Sequence, residues 1–170
     1  SHFWTPEETM GYVGPPVFEP GTAWAYSKTN YILAGMIIES ATGKTCVRNM
    51  HEIIFDPLDM ESIFAGAFEP PNGPVAGYQD WYGTGPWQVD PVTSVFSSLS
   101  AAGSIFSTAK EMAELYHALF TGKILSDASL QQILDVETSS RYGAGIWKSG
   151  DASLHYPWYT HFGWVMSFIS

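Results

Sequence analysis

The sequence predicts an α+β fold in which a mainly helical region with long loops, residues 26–141, precedes sheet strands in residues 142–170. Three observations predict it. Apolar residues recur at helical spacing in four segments, and the C-terminal third is aromatic and β-branched. In addition, 45% of the 170 residues are hydrophobic and 14% are charged, which is enough for a packed core. Helices followed by strands are typical of α+β domains, and the length fits one domain.

The first half of the chain contains two predicted helices. Residues 1–25 are rich in proline and glycine without a sustained apolar period, so we expect a loop. A first helix is expected to begin after the capping residue Ser27 and to end at Gly43. A second is expected to begin at Thr45 and to end before Pro57.

The second half contains two more helices and a hairpin. Residues 56–100 carry many prolines and glycines, which predicts irregular structure that either covers a site or simply packs. A third helix is expected from Ser107-Thr108, with Thr108 and Glu111 in a capping box, and a fourth from Ser126-Asp127. Strand-like residues in 142–148 and 154–170, separated by Ser-Gly-Asp, predict a hairpin-like pair.

Charge and cysteine content exclude several classes of function. The formal charge is −10 and the seven Lys and Arg residues are scattered, which argues against nucleic acid or an anionic membrane as a partner. No apolar stretch approaches 18 residues, so no membrane span is expected. The single cysteine, Cys46, excludes an internal disulfide and a cysteine metal cluster. The sequence suggests no metal site, and we expect no metal and no cofactor.

Two polar patterns are candidates for chemistry. Ser107 and Lys110 match Ser-x-x-Lys, in which a lysine one helical turn away deprotonates a serine on the same helix face; ordinary helix capping is the alternative. Tyr26, Ser27 and Lys28 stand at the start of the first predicted helix. The helix dipole and the Lys28 cation would favour a phenolate, so Tyr26 is a candidate general base, with plain packing as the alternative.

The surroundings of Tyr26 resemble a known family. Residues 20–28 are Pro-Gly-Thr-Ala-Trp-Ala-Tyr-Ser-Lys, and residues 30–43 are Asn-Tyr-Ile-Leu-Ala-Gly-Met-Ile-Ile-Glu-Ser-Ala-Thr-Gly. Residues 54–60 are Ile-Phe-Asp-Pro-Leu-Asp-Met, and residues 102–113 are Ala-Gly-Ser-Ile-Phe-Ser-Thr-Ala-Lys-Glu-Met-Ala. In this order they resemble the serine β-lactamase and D-alanyl-D-alanine carboxypeptidase superfamily, in its class C-like, esterase-like branch. The resemblance extends over most of residues 15–170.

The resemblance implies a β-lactamase/transpeptidase-like fold and an acyl-enzyme mechanism. In that mechanism the serine of Ser-x-x-Lys attacks a carbonyl, the tyrosine of a second motif moves a proton, and a third motif binds substrate on a strand. The residues so assigned are the catalytic set Tyr26, Ser27 and Lys28 and the substrate-binding set His161, Phe162 and Gly163. The family alignment also makes Ser107 a helix cap.

Two departures from the family pattern shape the predicted function. Lys28 occupies the position of the usual asparagine, and no Ser-x-x-Lys segment precedes Tyr26. We therefore expect a fragment of the domain that lacks the nucleophile and the last strands: part of a serine hydrolase of β-lactams, D-Ala-D-Ala peptides or esters, inactive alone. The alternative is a non-catalytic binding or assembly domain for peptides or glycans. The pair Ser107 and Lys110 as a relocated catalytic pair is a third hypothesis.

Partners and location follow from the same resemblance. The expected ligand is a small-molecule or peptide substrate. A strand near residues 164–169 without its neighbours would leave an open sheet edge, so we expect a homo-oligomer. The resemblance implies a bacterial envelope, periplasmic or secreted location, with the cytoplasm as the alternative.

Overall fold

The computed structural model describes residues 2–65, 68–69, 78–79, 88–89, 92–136, 141–149 and 158–160. Contacts divide the chain into two units, with the boundary between Met112 and Ala113. The helices and strands are α1 (Pro6–Met10), α2 (Lys28–Thr42), α3 (Cys46–Met50), β1 (Phe64–Ala65), β2 (Tyr78–Gln79), β3 (Gln88–Val89), α4 (Val92–Leu99), β4 (Ile105–Phe106), α5 (Ala109–Phe120), α6 (Asp127–Leu134), β5 (Trp147–Ser149) and β6 (Trp158–Thr160).

Helix α1 lies in the segment that the sequence predicted as a loop, so that prediction is wrong for Pro6–Met10. The helix forms because Thr5 and Glu8 make a capping box. The Thr5 hydroxyl accepts from the Glu8 amide at 3.2 Å, and the Glu8 carboxylate accepts from the Thr5 amide at 2.9 Å. Pro6 occupies the first turn, where its missing N–H costs nothing. One turn of helix therefore forms without an apolar period.

Helix α2 has the predicted limits, with Ser27 as its N-cap and Gly43 as its C-cap. Gly43 has φ 68°, a left-handed conformation that glycine adopts without strain, and its N–H donates to the Glu39 carbonyl. One face of α2 is buried through Ile32 and Gly35. Ala101 lies in a 3-10 turn, Ser100–Ala102. An added Cβ at Gly35 would lie 2.5 Å from the Cβ of Ala101, so the absence of a side chain at Gly35 sets how closely α2 approaches this turn.

The connection from α2 to α3 is held by two polar side chains. The Glu39 carboxylate accepts from the Cys46 amide at 2.7 Å. The buried Asn49 amide group donates to the Thr42 hydroxyl and to the carbonyls of Lys44 and Thr45. These bonds satisfy main-chain groups that the helix ends leave open. They fix the tight corner between the two helices.

The second predicted helix begins where expected, with Thr45 capping the Arg48 amide, but its α-helical part ends at Met50. A π-helical turn, His51–Phe55, and a 3-10 turn, Asp56–Leu58, continue it. Pro57 therefore lies inside the helical run. A proline near the start of a turn loses no hydrogen bond, which is why it does not end the run earlier.

The region predicted as irregular contains a further helix, α4, and this corrects the prediction for Val92–Leu99. Two serine hydroxyls of α4 donate hydrogen bonds to carbonyls of the preceding turn: Ser97 to Thr93, and Ser98 to Val95. Strand β1 pairs antiparallel with β4, with Phe64 opposite Phe106, and β2 pairs antiparallel with β3. The core beside these elements contains the buried side chains of Phe55, Met60, Ile63 and Ala65.

The second unit carries α6 and the pair β5–β6. Ser126 caps α6 by accepting from the Ser129 amide at 3.2 Å, as the sequence predicts. Strands β5 and β6 are antiparallel, with Trp147 opposite Thr160, which confirms the hairpin-like pairing for the described residues. Among the residues of this unit that the structure describes, Ala118, Leu130 and Ile146 are buried and apolar.

Candidate functional site

A tight turn leads the chain into the Tyr26 motif. The Thr22 amide and hydroxyl both donate to the Glu19 carbonyl, at 3.1 and 2.6 Å. Gly21 has φ 80°, the conformation that the third position of a type II turn requires, and Pro20 precedes it. The Pro-Gly-Thr sequence therefore sets the direction in which the chain enters the motif.

Ser27 forms the junction between this loop and α2. Its backbone is extended, with φ −143° and ψ 129°, and its hydroxyl accepts from the Thr29 amide at 3.2 Å. This is the geometry of an N-cap, which satisfies one of the free amides of the first helical turn. Ser27 therefore holds Tyr26 immediately before the helix and Lys28 in its first turn.

Tyr26 is accessible beside a helix start. Its side chain is 39% exposed, and its ring lies 6.1 Å from that of Tyr31, inclined by 43°. Burial, with a smaller contribution from the neighbouring Tyr26, raises the pKa of Tyr31, so Tyr31 remains a neutral phenol. Of the two tyrosines, Tyr26 is the more exposed to solvent.

The start of α2 and Lys28 both contribute positive charge to the motif. The first turn of α2 contains no acidic residue, and the N-terminal end of a helix carries positive partial charge. Lys28 adds an ammonium that is half-buried, and burial lowers its pKa because desolvation disfavours the charged form. An oxyanion close to Tyr26 would be stabilised here. The arrangement suits proton transfer at a phenol or the binding of a negatively charged group.

The third-motif residues His161, Phe162 and Gly163 lie outside the described residues, as do residues 164–169, for which the sequence predicts an open sheet edge. The structure therefore places one of the two predicted residue sets. Strand β6 ends at Thr160, directly before His161 in sequence. Their role in substrate binding stays a prediction.

The Ser107 and Lys110 pair does not have the helical geometry that its spacing predicts. Helix α5 begins at Ala109, so Ser107 precedes the helix instead of sharing a face with Lys110. The Ser107 hydroxyl donates to the Thr108 carbonyl at 3.3 Å and to the Glu111 carboxylate at 3.5 Å. A carboxylate therefore lies beside this hydroxyl, which supports a structural role.

Glu111 is an important residue that sequence reasoning placed only as part of a helix cap. The Thr108 hydroxyl does accept from the Glu111 amide at 3.2 Å, as the capping pattern predicts. The Glu111 side chain is buried, and its carboxylate also accepts from the Ser62 amide at 2.7 Å. It thus joins the start of α5 to the chain before β1. No local sequence pattern predicts a contact between residues 49 positions apart.

His51 is the second residue whose role the sequence did not reveal. Its Nδ1 lies 3.3 Å from an Asp56 carboxylate oxygen, and its Nε2 lies 2.9 Å from Glu69. The bond to Glu69 is the main reason that the pKa of His51 is raised above its ordinary value, with a further contribution from Asp56. Among the residues that the structure describes, no cluster of three or more His, Cys, Asp or Glu residues could hold a metal ion.

Comparison with known proteins gives a family match over most of the chain. A family model described as Beta-lactamase matches residues 10–168. A Bacillus subtilis (strain 168) protein, PbpX, provisionally named as a penicillin-binding protein, is 30% identical over 139 residues, which are 81% of this chain and 34% of that protein.

Two solved structures share the fold. A D-stereospecific amidohydrolase from Streptomyces sp. superposes with a TM-score of 0.79 at 25% identity, covering 94% of this chain and 49% of its own. A D-amino acid amidase from Ochrobactrum anthropi SV3, complexed with D-phenylalanine, superposes with a TM-score of 0.70 at 27% identity, covering 89% and 49%. The α+β, β-lactamase/transpeptidase-like fold is thus confirmed, and the chain spans half or less of these relatives' length.

Proposed function

This chain belongs to the β-lactamase family, and from that premise we propose that it supplies the tyrosine-bearing part of a serine acyl-transfer site. The observation that carries the proposal is the Tyr26 motif: an accessible phenol at the start of a capped helix, beside Lys28, in a chain whose family match spans residues 10–168. In this role Tyr26 moves the proton between the nucleophile and the leaving group, and Ser27 holds it in place.

The proposed substrates contain an amide or ester carbonyl: β-lactams, D-Ala-D-Ala peptides, simple esters or D-amino-acid amides. The last class is supported by the amidohydrolase and amidase that share the fold at 25% and 27% identity. His161, Phe162 and Gly163 are proposed to bind the substrate along a strand. Lys28, in the family's asparagine position, is proposed to hold a negatively charged substrate group through its ammonium, which can donate but not accept.

The nucleophile is proposed to come from sequence outside residues 1–170. Within residues 1–170, Ser-x-x-Lys occurs only at Ser107–Lys110. There the serine precedes helix α5, and its hydroxyl donates a hydrogen bond to the Glu111 carboxylate. Acyl transfer needs a serine activated by an adjacent base, so this chain alone is expected to be inactive.

Intact mass spectrometry tests this assignment. The 170-residue chain, incubated with benzylpenicillin and separately with a fluorophosphonate, is expected to gain no mass. The same chain fused behind a family member's Ser-x-x-Lys segment is expected to gain one adduct, mapped to that serine. A stoichiometric adduct on the chain alone, located at Ser107, would show instead that the relocated pair is the nucleophilic site.

A second candidate is a non-catalytic binding domain for peptides or glycans, and Lys28 favours it. An ammonium in place of an amide changes the hydrogen-bonding groups of the motif from donor and acceptor to donor only. Calorimetry with muropeptides distinguishes the two functions. Binding without any adduct in the fused protein supports the binding domain, whereas an adduct supports the enzyme.

Assembly and location are part of the same proposal. We expect a homo-oligomer formed through the predicted open sheet edge at residues 164–169. Light scattering at micromolar concentration measures the oligomeric state, and a monomer contradicts the expectation. We expect an envelope, periplasmic or secreted location, as for a penicillin-binding protein. Within the part of the chain that the structure describes, no helix has the length and apolar character of a membrane span.

A further inference from the structure

We propose that His51 is a pH-dependent clamp, which in its imidazolium form holds the turn after β1 against the helical run that contains the histidine. The imidazole bridges two carboxylates from different parts of the chain. Asp56 lies five residues away in the same helical run, and Glu69 lies beyond β1. An imidazolium donates from both ring nitrogens, so only the protonated ring can donate to both carboxylates at once.

Glu69 connects the ring to the main chain of the turn. The Glu69 oxygen that meets His51 also accepts from the Ala65 amide at 3.2 Å. The amides of Phe68 and Glu69 in turn donate to the Ala65 carbonyl, at 2.9 and 3.1 Å. Ala65 is itself buried at the end of β1, opposite Ile105 of β4. The histidine therefore acts on the turn that leads from this strand into residues 70–91.

The charges around the ring favour the protonated form. Asp56 and Glu69 raise the pKa of His51 through hydrogen bonds and charge, while partial burial of the ring, whose side chain is 28% exposed, opposes them. A further ring contact within the described part of the chain is apolar: Phe55 packs edge-on, with the ring centroids 5.2 Å apart. Glu52, the next residue, is paired with Lys44 and Arg48 instead.

The sign of the effect follows from linkage. A group whose pKa is higher in the folded state binds its proton more tightly there, so protonation stabilises the fold. The contribution of His51 is fully present below the ordinary histidine pKa of 6.5 and is lost as the pH rises through the raised pKa. The turn after β1 is thus held most tightly while the ring is protonated and its carboxylate partners are ionised, and the hold weakens as the pH rises through the raised pKa of His51.

Hydrogen exchange at the turn amides, together with an NMR titration of the ring, tests the clamp. In the wild-type chain, protection factors of the Ala65, Phe68 and Glu69 amides should fall about three- to tenfold between about pH 6 and about pH 8, and the ring should titrate above 6.5. His51→Gln keeps a side-chain donor for Glu69 but cannot titrate, so its protection factors should not change. His117→Gln, on the exposed surface of α5, is the matched control and should behave as wild type.

Glu69→Gln provides an independent variant if His51→Gln does not fold. It retains an oxygen for the Ala65 amide but removes the charge, so the titration of His51 should move down towards 6.5. Asp56→Asn should move it less, since its oxygen is 3.3 Å from the ring nitrogen instead of 2.9 Å. The clamp is refuted if the ring titrates at or below 6.5, or if His51→Gln retains the wild-type pH dependence of protection.

Discussion

The close approach of α2 to the Ser100–Ala102 turn allows a quantitative test of the packing that positions the Tyr26 motif. An alanine Cβ at Gly35 would lie 2.5 Å from the Cβ of Ala101, far inside the ordinary contact distance, and 3.9 Å from the Cys46 sulfur. Because the first neighbour is a short side chain fixed to a helical turn, the clash cannot be relieved by a rotamer change. The backbones must separate.

Two contributions to the effect of Gly35→Ala on the unfolding free energy have opposite signs. Overpacking a close contact costs about 1–3 kcal/mol. Alanine within a helix is favoured over glycine by about 1 kcal/mol, which offsets part of that cost. Gly35→Ala should therefore lower the free energy of unfolding by about 0–2 kcal/mol. This range alone is a weak test, so the informative quantity is its coupling to Ala101.

A double-mutant cycle with Ala101→Gly isolates the contact. Removing the Ala101 methyl makes room for a methyl at Gly35, so the double variant should be more stable than the sum of the single changes by about 1–3 kcal/mol. Urea unfolding followed by circular dichroism measures each free energy. Gly14→Ala is the control, since a Cβ there has no neighbour within 4 Å. A coupling below about 0.5 kcal/mol would refute the close-approach explanation of Gly35.

Three further predictions concern single residues. Ser27→Ala removes the α2 cap and should cost about 1 kcal/mol of unfolding free energy, whereas Ser27→Asn should restore most of it; equal losses would contradict the capping role. Glu111→Gln weakens a buried charge-assisted bond to the Ser62 amide and should cost about 1–3 kcal/mol in urea unfolding, whereas the control Glu61→Gln, at an exposed glutamate, should change the unfolding free energy by close to zero. The unfolding free energy should fall as the pH rises above 6.5 through the raised pKa of His51, and an unchanged slope in His51→Gln would argue against this source.

The sequence predicted the ends of a helix correctly where a capping residue marks them. Ser27 and Gly43 bracket α2, and Ser126 begins α6, because capping residues satisfy amides within three positions of themselves. The helices that were missed have weaker signals. Helix α1 rests on a single capping box, and α4 is rich in serines, which are poor helix formers unless the fold supports them.

The site was predictable only as far as its motif is continuous in sequence. Tyr26, Ser27 and Lys28 are adjacent, so the helix start defines their geometry. The contacts of His51 with Glu69 and of Glu111 with Ser62 join residues 18 and 49 positions apart, and no spacing rule predicts such pairs. Ser107 illustrates the opposite error: its spacing to Lys110 was right for a helix face, but the helix begins two residues later.

The rate of acylation with and without the Tyr26 hydroxyl tests the central claim most directly. In the chain fused behind a family Ser-x-x-Lys segment, stopped-flow or quench-mass measurements follow adduct formation with benzylpenicillin. Tyr26→Phe should slow acylation by about 10²- to 10⁴-fold, the usual effect of losing a proton-transfer group. Tyr12→Phe, at a tyrosine that is 78% exposed, should leave the rate unchanged. If Tyr26→Phe acylates at the wild-type rate, Tyr26 does not transfer the proton and the proposed site is wrong.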